Sequence, residues 1–163
     1  MTIGQALLLA LLAGFAYFSR RFLGDWYLER PIIVAPIAGL ILGDVQTGLI
    51  VGGTLELIFM GAVDIGGSVP PNYTIGGILG AAFAITSGQA PQTALVIAIP
   101  AALLGSFFEM FAKTVCVIFV NASERMAERL NTRGMAWMVH LGNITHALAY
   151  AIPTFVALAL GVD

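Results

Sequence analysis

The sequence predicts an all-α integral membrane protein in which several transmembrane helices are short or broken and form re-entrant hairpins. Hydrophobic residues make up 59% of the chain and charged residues only 10%, whereas soluble domains carry roughly 25% charged residues. The mean hydropathy is accordingly high, at +0.94. Glycine and proline interrupt paired apolar runs, which is the pattern of broken membrane helices and hairpins.

Length, charge and cysteine content restrict the function further. The 163 residues predict a single membrane domain, 1–163, with the lipid bilayer as its solvent. The net charge of -2 is too small to indicate a nucleic-acid partner. Cys116 is the only cysteine, which excludes an intrachain disulfide and a cysteine-rich metal site. Motifs of metalloproteases, serine hydrolases and nucleotide-binding loops are absent, so we expect no cofactor, no metal and no catalytic residue.

The first half of the chain contains one long apolar run and two short ones. Residues 3–19 predict a span, and the charged, aromatic residues 20–30 predict an interfacial connector. Residues 31–43 form a helix of only about 20 Å at 1.5 Å per residue, too short to cross the hydrocarbon core alone. Their expected partner, residues 48–63, is also short and contains two central glycines.

The second half repeats this arrangement. Residues 74–86 are a short glycine-rich run, and residues 93–120 are a longer apolar run that carries Pro100. Irregular backbone at membrane depth persists only when protein buries it or when it lines a cavity. We therefore expect this chain to help build a cavity.

Two further segments follow the long apolar run. Residues 121–134 predict a separate surface helix, which Asn121 begins as an N-cap and Gly134 ends. Residues 135–162 are long enough for a tilted span.

A carboxylate inside an apolar run is the first candidate for function. Gly48, Gly52 and Glu56 lie on one face of a helix because they are four residues apart. A charge at the bilayer centre costs about 3 kcal/mol or more, so Glu56 is expected to face protein, a watery cavity or a ligand. Alternatively, the glycines are only a packing face and Glu56 is a neutral or hydrogen-bonded core acid.

Polar residues in the later runs favour structural roles. Glu109 and Lys113 have the spacing and order of a helical ion pair. His140, Asn143 and His146 fall near one another on a helix, where such groups usually form interhelical hydrogen bonds; a ligand or proton role remains the alternative.

Basic residues cluster in two connectors, at Arg20, Arg21 and Arg30 and at Arg125, Arg129 and Arg133. The positive-inside rule predicts that both clusters are cytoplasmic. The chain between them would then leave the cytoplasmic side and return to it.

Several motifs together resemble one family. They are Arg30-Pro31, GLILGD (39–44), TGLIVGGTLE (47–56), DIGG (64–67) and PPN (70–72). This series resembles the N-terminal part of the IIC membrane subunit of mannose-family sugar phosphotransferase systems, which includes mannose, fructose, sorbose and N-acetylgalactosamine systems. Family members normally continue beyond residue 163, so we expect the chain to be truncated relative to the family.

The resemblance implies a translocation subunit in the bacterial plasma membrane, with several passes. It implies a complex with a IID membrane subunit that binds and imports a hexose or amino sugar. Phosphate would reach the sugar from a cytoplasmic IIB component, itself charged by a IIA component. His140 and His146 would therefore not carry phosphate.

The resemblance also suggests which residues contact the sugar. Glu56, Asp64 and Asn72 are the first candidates, because carboxylates and amides can bind two sugar hydroxyls at once. Thr54 and Asp44 are second candidates, although Asp44 is equally well placed to cap the following helix.

Two other function classes remain open from the residues. A secondary transporter or channel subunit would share the broken helices and the intramembrane acid, but would work without a phosphoryl donor. A non-transporting membrane scaffold or receptor would explain the packing glycines without any ligand.

Overall fold

The computed structural model describes residues 1–22, 24, 26–62, 68–88 and 90–161. Regular secondary structure in these residues consists of α-helices. They are α1 (Ile3–Phe22), α2 (Pro31–Leu42), α3 (Val45–Phe59), α4 (Tyr73–Ser87), α5 (Pro91–Glu128) and α6 (Thr132–Leu160). The predicted all-α class is confirmed.

In the part of the chain that the structure describes, three helices have the length and composition of membrane spans. These are α1, α5 and α6, with 20, 38 and 29 residues. Helix α6 packs along α1 on one side and along α5 on the other. Their outward faces carry large apolar side chains such as Leu11, Phe107 and Ile152, all more than half exposed, as expected of a surface that contacts lipid.

The other three helices are short. Helices α2, α3 and α4 have 12, 15 and 15 residues, or about 18 to 23 Å at 1.5 Å per residue. They pack against one another, and α4 also packs along α5. The predicted pair of short helices is therefore present, as the hairpin of α2 and α3.

Close backbone approach holds this hairpin together. The turn begins at Gly43, whose φ of 93° is left-handed and suits glycine at the end of a helix. A Cβ atom on Gly48 would lie only 2.6 Å from the carbonyl oxygen of Ala35, and one on Gly52 only 2.7 Å from that of Pro31. The predicted small-residue row of α3 therefore packs on α2.

The prediction of a separate surface helix over residues 121–134 is wrong. Helix α5 continues through Asn121 to Glu128, and the chain turns at Leu130, which has a φ of 54°. The N-cap of the next helix is Asn131, whose side chain accepts a hydrogen bond from the backbone N–H of Gly134. Residues 121–128 contain helix-forming residues and no breaker, so continuing α5 keeps its backbone hydrogen bonds.

One other boundary differs from expectation. Helix α1 extends to Phe22, so Arg20 and Arg21 belong to its last turn instead of the connector. Pro100 lies inside α5 without ending it. Helices α4 and α6 both pack against α5, and such neighbours offset the lost hydrogen bond in apolar surroundings.

The side chains of the first basic cluster reach different parts of the bundle. Arg20 lines a cavity with Glu109, whereas Arg21 lines another cavity with Glu124, the residue before Arg125 of the second cluster. Arg20 and Arg30 also form ion pairs, with Glu29 and Glu56 respectively. Ion pairs within the protein, and not only exposure at a membrane surface, thus stabilise the charges of the first cluster.

We predict that Gly48→Ala destabilises the fold by about 1 to 3 kcal/mol, the usual cost of overpacking. The added methyl group meets backbone, which cannot rotate away. Gly53→Ala is the matched control on the same helix, since its Cβ would meet no atom within 4 Å. Thermal unfolding in detergent measures both variants, and equal midpoints for the two would contradict the packing account.

Candidate functional site

A small polar cavity lies between the end of α1, the residues that precede α2, the residues that precede α4, and the middles of α5 and α6. Its volume is about 20 Å³, which is room for about one water molecule. The side chains of interest around it are those of Tyr17, Glu29, Asn72, Tyr73, Glu109 and Tyr150. Glu29, Asn72 and Glu109 are only 3%, 4% and 8% exposed, so the polar groups are inside the bundle.

Glu109 is held by two partners. The hydroxyl of Tyr150 on α6 donates a hydrogen bond of 3.0 Å to Oε2, and Nζ of Lys113 lies 3.1 Å from Oε1. The predicted ion pair of Glu109 and Lys113 is therefore confirmed. Both carboxylate oxygens of this buried acid are satisfied, and the tyrosine adds a polar link between α5 and α6.

Glu29 has one oxygen paired and one without a partner. Oε1 lies 3.6 Å from Nε of Arg20, and the backbone carbonyl of Glu29 accepts a 3.0 Å hydrogen bond from the hydroxyl of Thr74. Oε2 is buried and has no hydrogen-bond partner among the described residues. The segment is thus fixed to α1 and α4, while one acceptor remains unused beside the cavity.

Asn72 has a corresponding unused donor. Its Oδ1 accepts a 3.1 Å hydrogen bond from the backbone N–H of Ile75, which caps the start of α4. Because the oxygen is committed to the helix, the amide nitrogen Nδ2 is the group left for other contacts. Nδ2 is buried and has no partner within the described part of the chain.

Aromatic rings form another part of the boundary. The rings of Tyr17 and Tyr150 pack with centroids 4.4 Å apart, and Tyr17 also stacks on His146 at 5.3 Å. The guanidinium of Arg30 lies 5.2 Å from the ring centroid of Tyr73. The cavity therefore combines carboxylate, amide and aromatic surfaces.

Glu56 lies beside α2 and is not among the residues that line this cavity. Its Oε1 is 3.3 Å from a guanidinium nitrogen of Arg30, and its Oε2 accepts a 3.4 Å hydrogen bond from the backbone N–H of Ile32. A carboxylate at this position is favourable because the first N–H groups of a helix lack intrahelical partners. Glu56 thus links α3 to the start of α2 and to the connector that carries Glu29.

Two of the remaining predicted sugar contacts, Asp44 and Thr54, make local hydrogen bonds. Asp44 caps α3 by accepting from the N–H and the hydroxyl of Thr47, and these bonds lower the pKa of Asp44 below its usual value. The hydroxyl of Thr54 donates 2.7 Å to the carbonyl of Ile50. Asp64 lies outside the described residues. A sugar-binding role for these three residues stays a prediction.

His146 joins two helices, as the favoured interpretation expects, although its Nε2 is buried without a hydrogen-bond partner among the described residues. Nδ1 of His146 lies 3.1 Å from the carbonyl oxygen of Gly142 and 3.3 Å from Sγ of Cys116 on α5. His140 stacks on Phe22 of α1, with ring centroids 5.4 Å apart. These contacts bridge α6 to both of its long neighbours.

Sequence reasoning missed three cavity residues, Glu29, Tyr17 and Tyr150. Glu29 was placed in an interfacial connector because charged and aromatic residues surround it in the sequence. Its position directly before Arg30-Pro31, at the start of a short helix, was the available signal. The tyrosines lie in apolar runs, where an aromatic side chain gives no indication that its hydroxyl reaches a buried acid.

We predict that Tyr150→Phe destabilises the protein by about 1.5 to 3 kcal/mol, the range for a hydrogen bond to a charged group. Tyr27→Phe is the control, because Tyr27 is 55% exposed and its ring is retained. Chemical unfolding in detergent measures both. A loss for Tyr150→Phe no larger than that for the control would contradict the assigned hydrogen bond.

Comparison with known proteins identifies the family. The family described as "PTS system sorbose-specific iic component" matches residues 3–163. The sorbose-specific EIIC component of Lacticaseibacillus casei is 38% identical over 132 residues, which are 81% of this chain and 48% of that protein. The mannose-specific EIIC component of Escherichia coli (strain K12) is 32% identical over 143 residues, 86% of this chain and 53% of that protein. The chain thus spans about half the length of these relatives.

A solved structure agrees in fold. The cryo-EM structure of the mannose transporter ManYZ in complex with microcin E492 contains a chain that superposes with a TM-score of 0.89 at 30% identity. The superposition covers 99% of this chain and 64% of that one. The match spans nearly the whole sequence, and the helices agree with a solved membrane transporter, so the chain belongs to the family of sorbose-specific IIC components of the phosphotransferase system.

Proposed function

We propose that this chain is the membrane translocation subunit of a phosphoenolpyruvate-dependent sugar phosphotransferase system, and that it binds a hexose or amino sugar at the polar cavity. One observation carries the site assignment. Oε2 of Glu29 and Nδ2 of Asn72 are buried beside the cavity without a hydrogen-bond partner among the described residues.

Unpartnered buried polar atoms are costly, at about 1 to 3 kcal/mol each. Glu29 offers an acceptor and Asn72 a donor, and a sugar hydroxyl is both donor and acceptor. Neighbouring hydroxyls of one sugar ring can therefore satisfy both groups together. The two unused groups thus match a polar ligand, which favours a binding role.

The charges around the cavity suit a neutral ligand. Glu29 is paired with Arg20, and Glu109 with Lys113. These four groups cancel in pairs, so binding is expected to depend on hydrogen bonds and ring packing. The tyrosine faces provide an apolar surface for the C–H groups of a sugar ring.

The cavity volume of about 20 Å³ accommodates water but not a hexose, which has a dozen heavy atoms. Sugar entry therefore requires the segment before α2 to separate from α5 and α6, while the loop before α4 stays in place on α5. The segment before α2 ends at the N-cap residue of that helix, Arg30, so it can move without unwinding a helix. We infer that the described conformation is a closed one.

Glu56 supports this site from α3 in the proposed account. Its contacts to Arg30 and to the N–H of Ile32 hold the connector in which Glu29 lies. Asn72 and Glu29 become the principal sugar contacts. Direct contacts from Glu56, Asp64, Thr54 and Asp44 remain predictions, to be tested with the same assay.

The proposed partners follow from the family. A IID membrane subunit would complete the translocation complex, and cytoplasmic IIA and IIB components would deliver phosphate to the sugar. The chain would cross the bacterial inner membrane several times through α1, α5 and α6. The sugars named for the relatives, sorbose and mannose, are the first substrates to test.

Sugar phosphorylation in vesicles tests this function. The chain is reconstituted with and without a IID subunit, with IIA and IIB components and a phosphoenolpyruvate-driven phosphoryl source inside, and is supplied with sorbose, mannose, fructose and amino sugars. Internal sugar phosphate that requires every component supports the proposal. Uptake that survives omission of IIA and IIB would instead indicate a secondary transporter, and no uptake under any combination would reject a translocation role.

We predict that Glu29→Gln and Asn72→Ser each weaken sugar binding about tenfold, the equivalent of one lost hydrogen bond of roughly 1.4 kcal/mol. Serine keeps the helix cap at residue 72 but removes the amide donor. Glu128→Gln, an exposed position in the last turn of α5, is the control. Equilibrium binding of radiolabelled sugar measures all three, and unchanged affinity in both site variants would reject the assigned site.

A further inference from the structure

Three residues of α5, Ala102, Gly105 and Ser106, contact the loop that carries Asn72, and none of them lines the cavity. The backbone N–H of Asn72 donates a 2.8 Å hydrogen bond to the carbonyl of Ala102. The hydroxyl of Ser106 lies 3.0 Å from the carbonyl oxygen of Pro70. Gly105 presses directly against Asn72, since a Cβ there would lie 2.8 Å from the Cβ of Asn72.

These contacts come from a single face of the helix, because residues three and four apart are neighbours on its surface. Ser106 also lies 3.1 Å from the carbonyl oxygen of Ala102, the same oxygen that accepts from Asn72. The loop backbone is thus fixed at two points by α5. Because Gly105 has no side chain, Asn72 lies close to α5, and this close contact determines the position of Asn72 beside the cavity.

The side chain of Asn72 is then oriented by its own cap. Oδ1 is committed to the N–H of Ile75, so the direction of Nδ2 follows from the position of the loop backbone. Moving that backbone by a few tenths of an ångström moves the unpartnered amide by a similar amount. Hydrogen bonds weaken steeply with such changes in distance and angle.

We infer that Gly105 and Ser106 are positioning residues for sugar binding: they seat the loop of residues 70–72 so that Nδ2 of Asn72 faces the cavity. Neither residue lines the cavity, and neither contacts the sugar in this account. This inference rests on the proposed function, because it assigns the sugar contact to Asn72. It makes sugar binding by Asn72 depend on α5, although Asn72 itself lies outside α5.

The test is a double-mutant cycle on sugar affinity. Gly105→Ala introduces a methyl group against Asn72 and changes no polar group; we expect binding to weaken about fivefold to tenfold. In an Asn72→Ser background the same substitution should cost less than twofold, since the amide it misplaces is already absent. Coupling of this kind distinguishes residues that act through one another from independent sites.

Ser106 gives an independent arm. Ser106→Ala removes the hydroxyl and should weaken binding about threefold to fivefold, whereas Ser106→Thr retains the hydroxyl and should restore affinity to within twofold. Gly142→Ala is the packing control, because its Cβ would meet only Sγ of Cys116, at an ordinary 3.8 Å.

The outcomes separate the two proposals. If Asn72→Ser binds sugar normally, the assignment of Asn72 as a sugar contact fails and the positioning inference fails with it, whereas the proposed site is rejected only if Glu29→Gln also leaves affinity unchanged. If Asn72→Ser weakens binding but Gly105→Ala does not, only the positioning inference is overturned. If the losses from Gly105→Ala and Asn72→Ser are simply additive, Gly105 acts through general packing, which also overturns it.

Discussion

The burial of Glu29, Asn72 and Glu109 among apolar helices is the constraint on which the rest of this structure depends. Lipid offers no hydrogen bonds, so these groups must be satisfied within the protein. Tyr150 and Lys113 pair with both carboxylate oxygens of Glu109. Arg20 pairs with one oxygen of Glu29, and the amide oxygen of Asn72 caps α4. The helices that supply these partners, α1, α4, α5 and α6, are thereby brought around one point, and the two groups left unsatisfied define the proposed site.

The short helices α2 and α3 help to position the connector that carries Glu29. Backbone packing at Gly48 and Gly52 brings α3 against α2, so that Glu56 reaches the first turn of α2 and Arg30. The connector that carries Glu29 is therefore held at one end by the hairpin and, through Thr74, at α4. The packing glycines and the polar contacts together determine the position of the connector that carries Glu29, because the hairpin and the connector are both short and each needs contacts from the other.

Much of the fold was predictable because its signals are local. Apolar runs predicted the spans, and the spacing of Gly48, Gly52 and Glu56 predicted the face that packs on α2. The boundary errors at Phe22 and Glu128 arose where charged or amide residues lie in good helix-forming sequence. The proposed site was only partly predictable: Asn72 was chosen as a candidate from a motif, but Glu29 and Tyr150 reach the cavity through contacts between segments distant in sequence, which periodicity cannot indicate.

The most direct test of the account is a structure of the chain with its substrate sugar, in a lipid nanodisc and together with its membrane partner. The account predicts an opened cavity between α5, α6 and the segment before α2, with the loop before α4 still on α5 and with sugar hydroxyls within 3.5 Å of Oε2 of Glu29 and Nδ2 of Asn72, a hydrogen-bonding distance. Sugar bound elsewhere, with the cavity still closed and both atoms still unpartnered, would contradict it.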